Sequence, residues 1–116
     1  MRPTLAYAHH LTTRLAVLAF AAAATPAAAI ETIDCSQDRG SAERAICASH
    51  HLQILDATVA QAYAEIMHDS GINRRVKSAV HESQLEFLAR RDACGHNTEC
   101  LAEVMERRAT RIHFYY

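Results

Sequence analysis

The chain has 116 residues, with 12 Lys and Arg against 13 Asp and Glu, and half of its residues are hydrophobic. That length suits one small domain. Basic residues interleaved with acidic ones exclude the electropositive footprint of a nucleic-acid binder, so no nucleic-acid partner is expected.

Residues 1–29 have the pattern of an export signal, expected to be removed. Arg2, His9, His10 and Arg14 make a basic, acid-free start, and Leu15 to Ala24 form an apolar core. Thr25-Pro26 interrupts it, and Ala27-Ala28-Ala29 supplies small residues for cleavage before Ile30. The apolar core is well short of the roughly 20 residues that span a bilayer. No stable membrane span is therefore expected after cleavage. The alanine-rich core suggests a bacterial exporter and a periplasmic or secreted product. Loss of Arg2 and Arg14 would leave acids in excess, concentrated in residues 30–70, whereas residues 71–116 carry more bases than acids.

Residues 30–116 read as one all-α domain. Glycine occurs only at Gly40, Gly71 and Gly95, and strand-like alternation is absent. Ser41 is expected to cap a short helix ending near Ala48, and Ser49 a long one over His50 to Asp69. Leu52, Leu55, Val59, Ala62, Tyr63, Ile66 and Met67 fall on one stripe of that long helix. Ser70-Gly71 stops it, and Asn73 is placed to cap a second long helix over Arg74 to about Ala93. Its stripe is Val76, Ala79, Val80, Phe87 and Leu88, with Ser83 and Gln84 on the same side. After a turn at residues 95–98, a last amphipathic helix runs from Glu99 to about His113. It presents Leu101, Val104, Met105, Arg108 and Ile112 on one face. The short connection at residues 70–73 folds the two long helices into an antiparallel hairpin.

Four cysteines, Cys35, Cys47, Cys94 and Cys100, all follow the signal. In an oxidising compartment an even set of thiols in so small a domain is expected to form disulfides. The fold expected is a disulfide-stapled helical hairpin with a short N-terminal helix and an additional C-terminal helix. Three pairings are open. The hairpin places all four cysteines at its open end, which favours bridges from the N-terminal pair to the C-terminal pair. The sequential pairing, Cys35 with Cys47 and Cys94 with Cys100, is the close alternative.

Several segments carry spaced motifs. Asp34-Cys35 opens the pattern, and Glu43-Arg44-Ala45-Ile46-Cys47 matches E-x-x-I-C. Leu52, Leu55-Asp56, Val59, Tyr63 and Ile66 fit an L-x-x-L-D-x-x-L-x-x-x-Y-x-x-L run. Gln84, Phe87-Leu88, Arg91-Asp92 and Cys94 fit Q-x-x-W-L-x-x-R-D-x-C, and Cys100-Leu101 and Arg111-Ile112 fit the close. Phe87 replaces the usual tryptophan, Leu85 a common basic residue and Ala60 a frequent polar one. With these motifs the chain resembles the LprI-type lysozyme inhibitor N-terminal domain family of small exported bacterial helical proteins, and the resemblance implies an inhibitor that binds a lysozyme and blocks its cleft. The alternative is an envelope protein-binding or structural module with no lysozyme target.

Hydrolysis of a glycoside needs two cleft carboxylates, one of them protonated. A cationic or hydrogen-bonding side chain placed between them would block it. The candidate partner-binding residues are therefore Arg90, Arg91, His96 and Asn97. The competing assignment pairs Arg91 with Asp92 or Glu43 and makes His96 and Asn97 ordinary turn residues.

Catalysis finds little support. There is no C-x-x-C and no G-x-S-x-G. Glu82 and Glu86 share a helix face as solvated acids commonly do, so no enzyme activity and no cofactor are expected. Cys94-x-His96-x3-Cys100 only superficially resembles a metal site, because those cysteines should be oxidised. His50 and His51 point about 100° apart on a helix, and His68, His81 and His113 are expected on the surface. Phe114 is expected to pack on the hairpin, with Tyr115 and Tyr116 fraying.

Overall fold

A computed structural model describes residues 32–37 and 39–115; the signal assigned to residues 1–29, and Tyr116, lie outside the described residues. The described chain is all-α: α1 (Ser41–Cys47), α2 (His50–His68), α3 (Arg74–Ala93), α4 (Thr98–Arg111) and a terminal 3-10 helix (Ile112–Tyr115).

Three helices begin where a short polar side chain meets an orphan amide. Ser49 Oγ accepts from Leu52 N at 3.3 Å, Asn73 Oδ1 from Val76 N at 3.0 Å, and Asn97 Oδ1 from Cys100 N at 3.0 Å. α1 departs from expectation. Gly40, not Ser41, holds its N-cap position, at φ 142° and without a side-chain cap bond. Residues with a Cβ rarely adopt that φ, so the helix starts from Gly40 and Ser41 becomes its first residue. Between α2 and α3, Asp69 Oδ1 accepts from Gly71 N at 2.7 Å, an Asx turn that reverses the chain.

α2 and α3 are antiparallel, and α4 runs in the direction of α2. Two apolar clusters record this arrangement. At the open end, Ala42, Ile46, Leu52, Val59, Phe87, Leu101 and Met105 pack together. At the turn end, Ala62, Tyr63, Ile66, Val80 and Ile112 form the second cluster. α4 packs more extensively against α2 than α3 does. The last helix therefore completes the core rather than decorating a finished hairpin. Ala79, expected on the α3 stripe, is exposed, because the buried line of that helix runs through Val80, Gln84, Phe87 and Arg91.

The favoured disulfide pairing is corrected. The bridges are sequential, Cys35–Cys47 and Cys94–Cys100, each with a Cα separation of 5.6 Å. Local chain direction explains this. The segment before α1 folds back onto the end of α1, and the tight α3–α4 turn delivers Cys100 to Cys94. Gly95 makes that turn possible at φ 56°. Each staple locks one connection, and neither ties the N-terminal half to the C-terminal half.

The aromatic tail also reverses expectation. Phe114 is 80% exposed, whereas Tyr115 packs against the second cluster. The switch to a 3-10 helix at Ile112 changes the angular step per residue, which turns Tyr115 inward.

Non-reducing peptide mapping should recover peptides joining Cys35 to Cys47 and Cys94 to Cys100. A peptide joining residue 47 to residue 94 would contradict the fold. Converting Cys94 and Cys100 together to serine closes no loop in the unfolded chain and should cost about 2–3 kcal/mol in urea unfolding.

Candidate functional site

At the open end the charged residues of the sequence motifs converge. Arg91, 5% exposed, sits in the last turn of α3. Its Nε and Nη2 donate to Asp92 Oδ1 at 2.9 and 2.8 Å, and Nη2 also reaches Glu43 Oε1 of α1 at 3.4 Å. Nη1 lies 3.9 Å from Asp56 Oδ1 of α2. Asp56 Oδ2 in turn accepts the Ile33 backbone N–H at 2.8 Å, tying down the segment before α1. Asp34, which opens the motif, accepts from Ser36 N and Ser36 Oγ at 2.9 and 2.6 Å, and these bonds hold its carboxyl below the usual range. That Asx turn fixes the approach of Cys35 to α1.

Of the four candidate contact residues, Arg91 is therefore held inside the protein. Arg90, His96 and Asn97 are exposed. Asn97 spends its side-chain oxygen on the α4 cap. His96 projects from a turn that the Cys94–Cys100 bridge closes on both sides. The same bridge removes both thiols from the C-x-H-x3-C set as metal ligands.

Arg90 belongs to a second arrangement. α3 and α4 enclose a groove of about 280 Å³ lined by Glu86 and Arg90 from α3, Arg107 and Arg111 from α4, and buried Arg108 at its base. Arg108 Nε and Nη2 donate to Gln84 Oε1 at 3.1 and 2.9 Å, and Nη1 donates to Ser83 Oγ at 3.1 Å. The guanidinium carbon stands 5.8 Å from the Phe87 ring centroid and 5.9 Å from that of Tyr115, within cation–π range. Burial pushes the Arg108 pKa down, a pull opposed by its hydrogen bond to Tyr115. Sequence reasoning placed Arg108 on the buried face of α4 but did not treat it as a site. The available signal was a charged residue on an apolar stripe, one turn after Met105.

A small all-α domain stapled by two local disulfides and centred on a buried ion network defines the structural class. Within it, the sequence matches the family model of lysozyme inhibitor LprI over residues 34–112, more than half of the chain, so the chain belongs to this family. It is a family of inhibitors rather than enzymes. No curated protein and no solved structure matches the chain. Phe87, where the motif usually has tryptophan, is buried against Arg108, so that departure changes packing rather than an exposed contact. No helix among the described residues is long and apolar enough to cross a membrane.

Replacing Arg91 with alanine should destabilise the domain by about 3–5 kcal/mol, because it removes a buried cation and leaves the part-buried carboxylates of Glu43 and Asp56 without it. Urea denaturation would measure it, and a loss within experimental error would remove Arg91 from its structural role. Asp56 allows a second test. Burial holds its carboxyl above the usual range, against the lowering pull of the Ile33 amide and Arg91. The folded protein thus binds this proton more tightly than the unfolded chain does. Protonation favours folding, and that contribution is lost as pH rises through the folded-state pKa. Relative to Asp56→Asn, the parent should gain stability as pH falls from about 7 to about 4. A difference that is flat in pH would contradict this.

Proposed function

We propose that this protein acts in the periplasm or outside the cell, where it binds a lysozyme and blocks its cleft. The family match over residues 34–112 carries this reading. Two features of the scaffold support it. The turn holding His96 is stapled by Cys94–Cys100, which lowers the entropy lost when a loop is fixed on binding. Arg90, in the last turn of α3 before that staple, is exposed and has no ion-pair partner among the described residues.

A glycoside hydrolase presents two carboxylates in its cleft. A guanidinium can bridge such a pair through its planar fork of donors. Arg90 and His96 are the contact residues proposed here, with Asn97 supporting the turn; Arg91 supports the surface from within. Acid enrichment in residues 30–70 would speed encounter with a basic enzyme.

Oxidised protein spanning residues 30–116 should slow cell-wall clearing by at least one lysozyme type at micromolar excess. The double variant Arg90→Glu with His96→Glu should weaken that inhibition by about tenfold or more, with an unchanged urea midpoint. Full activity of every lysozyme type tested would reject the reading and favour an envelope module with another protein partner. Intact inhibition by the double variant would move the contact elsewhere on the surface.

A further inference from the structure

The groove between α3 and α4 contains a buried positive charge, Arg108, that has no carboxylate partner among the described residues. Arg108 is 6% exposed, close to the burial of Arg91. Arg91 faces Asp92, Glu43 and Asp56. The hydrogen-bond acceptors that hold Arg108 are the side chains of Gln84 and Ser83, with Tyr115 beside them, and none of these is a carboxylate. No carboxylate among the described residues comes within ion-pair distance of it.

A guanidinium withdrawn from water without an opposing charge is costly to keep. The groove rim adds to that charge. Arg90, Arg107 and Arg111 are exposed around it, and among the described residues Arg107 alone of these has an ion pair, to Glu103 at 2.6 Å. Among the described residues Glu86 is the one acid in the lining. Gln84 and Ser83 fix the Arg108 plane in advance, as do the flanking rings of Phe87 and Tyr115.

We propose that this groove is a binding site for a small organic oxyanion, bearing a carboxylate or a phosphate, that supplies the counter-charge to Arg108. Guanidinium forks match both groups through paired N–H donors. Arg90 approaches from α3 and Arg111 from α4, so an anion over Arg108 meets cations from both walls. The volume of about 280 Å³ lies at the small end of ligand pockets, which fits a small anion rather than a polymer. This site does not depend on whether the protein blocks a lysozyme.

The oxidised protein should be titrated with sodium phosphate in one arm and sodium succinate in another, at ionic strength held constant with sodium chloride. Arginine Nε–Hε NMR signals and the melting temperature are the readouts, and neutral succinamide is the control. The Arg108 signal should shift saturably with one of the anions, with half-saturation near about 1 mM, and the melting temperature should rise in step. Saturation by phosphate alone assigns a phosphate site, and by succinate alone a carboxylate site. The exposed pair change Arg90→Gln with Arg111→Gln should weaken binding by about tenfold or more, while Arg74→Gln with Arg75→Gln should leave it unchanged. The proposal is overturned by shifts that never saturate or by an equal response to succinamide. Equal weakening by the Arg74 and Arg75 changes, or undiminished affinity in the Arg90 and Arg111 variant, would overturn it too.

Discussion

Arg91 carries its charge into the interior where α1, α2 and α3 meet, and the open end of the bundle is organised around it. Both disulfides are local, so neither holds one half of the chain to the other. That task falls to the first apolar cluster and to the Arg91 network, which reaches Glu43 on α1, Asp56 on α2 and, through Asp56, the backbone at Ile33. A buried ion pair gains little over a well-packed apolar pair, because desolvation offsets most of the attraction. Its partners are nevertheless few and directional. An α1 rotated by one residue, or an α2 slipped along α3, would leave the buried Arg91 and its part-buried carboxylates unpaired. The network thus sets the register of helices whose apolar stripes alone would tolerate sliding.

Arg108 acts at the junction of the two apolar clusters. Its guanidinium lies against Phe87 of the first cluster and Tyr115, which packs on the second. Tyr63, fully buried in the second cluster, has its hydroxyl 2.6 Å from His81 Nδ1, and burial raises its pKa. The interior is therefore two oily ends with a polar waist of Gln84, Ser83 and Arg108 between them. Gln84 is the hinge of that waist, since one side-chain oxygen accepts two guanidinium donors.

Much of this could be read from the chain before any coordinates. The helices followed from apolar stripes and from Ser49 and Asn73, whose side chains do cap as their positions suggest. Asn97 was read as a turn residue, yet it extends α4 backward by one residue through the same chemistry. The disulfide pairing was not legible, because it depends on the direction taken by residues 32–37, which have no periodic pattern. Phe114 and Tyr115 exchanged roles because a change of helix type leaves no mark in apolar spacing. The site was legible by halves. The sequence admits Arg91 both as a contact and as a partner for Asp92 or Glu43, and the structure makes those ion pairs. Arg108 and Gln84 were placed on inward faces, but their meeting joins residues on different helices, and stripe position alone does not give a partner.

Two guanidiniums are buried to similar depth, one facing three carboxylates and one facing none among the described residues. A charge that serves packing alone is neutralised by the chain itself, as Arg91 is. Arg108 is instead held by neutral side chains, and Arg90, Arg107 and Arg111 line the same groove. Acids outnumber bases in residues 30–70, whereas residues 71–116 carry a small excess of bases. Such a dipolar body presents different faces to an approaching charged partner and so biases the orientation of first encounter. Fixed helices, a stapled turn beside Arg90 and a guanidinium pinned by Gln84 mean that little of this surface must be ordered when a ligand arrives. Affinity then depends on how well the ligand matches the charges already in place.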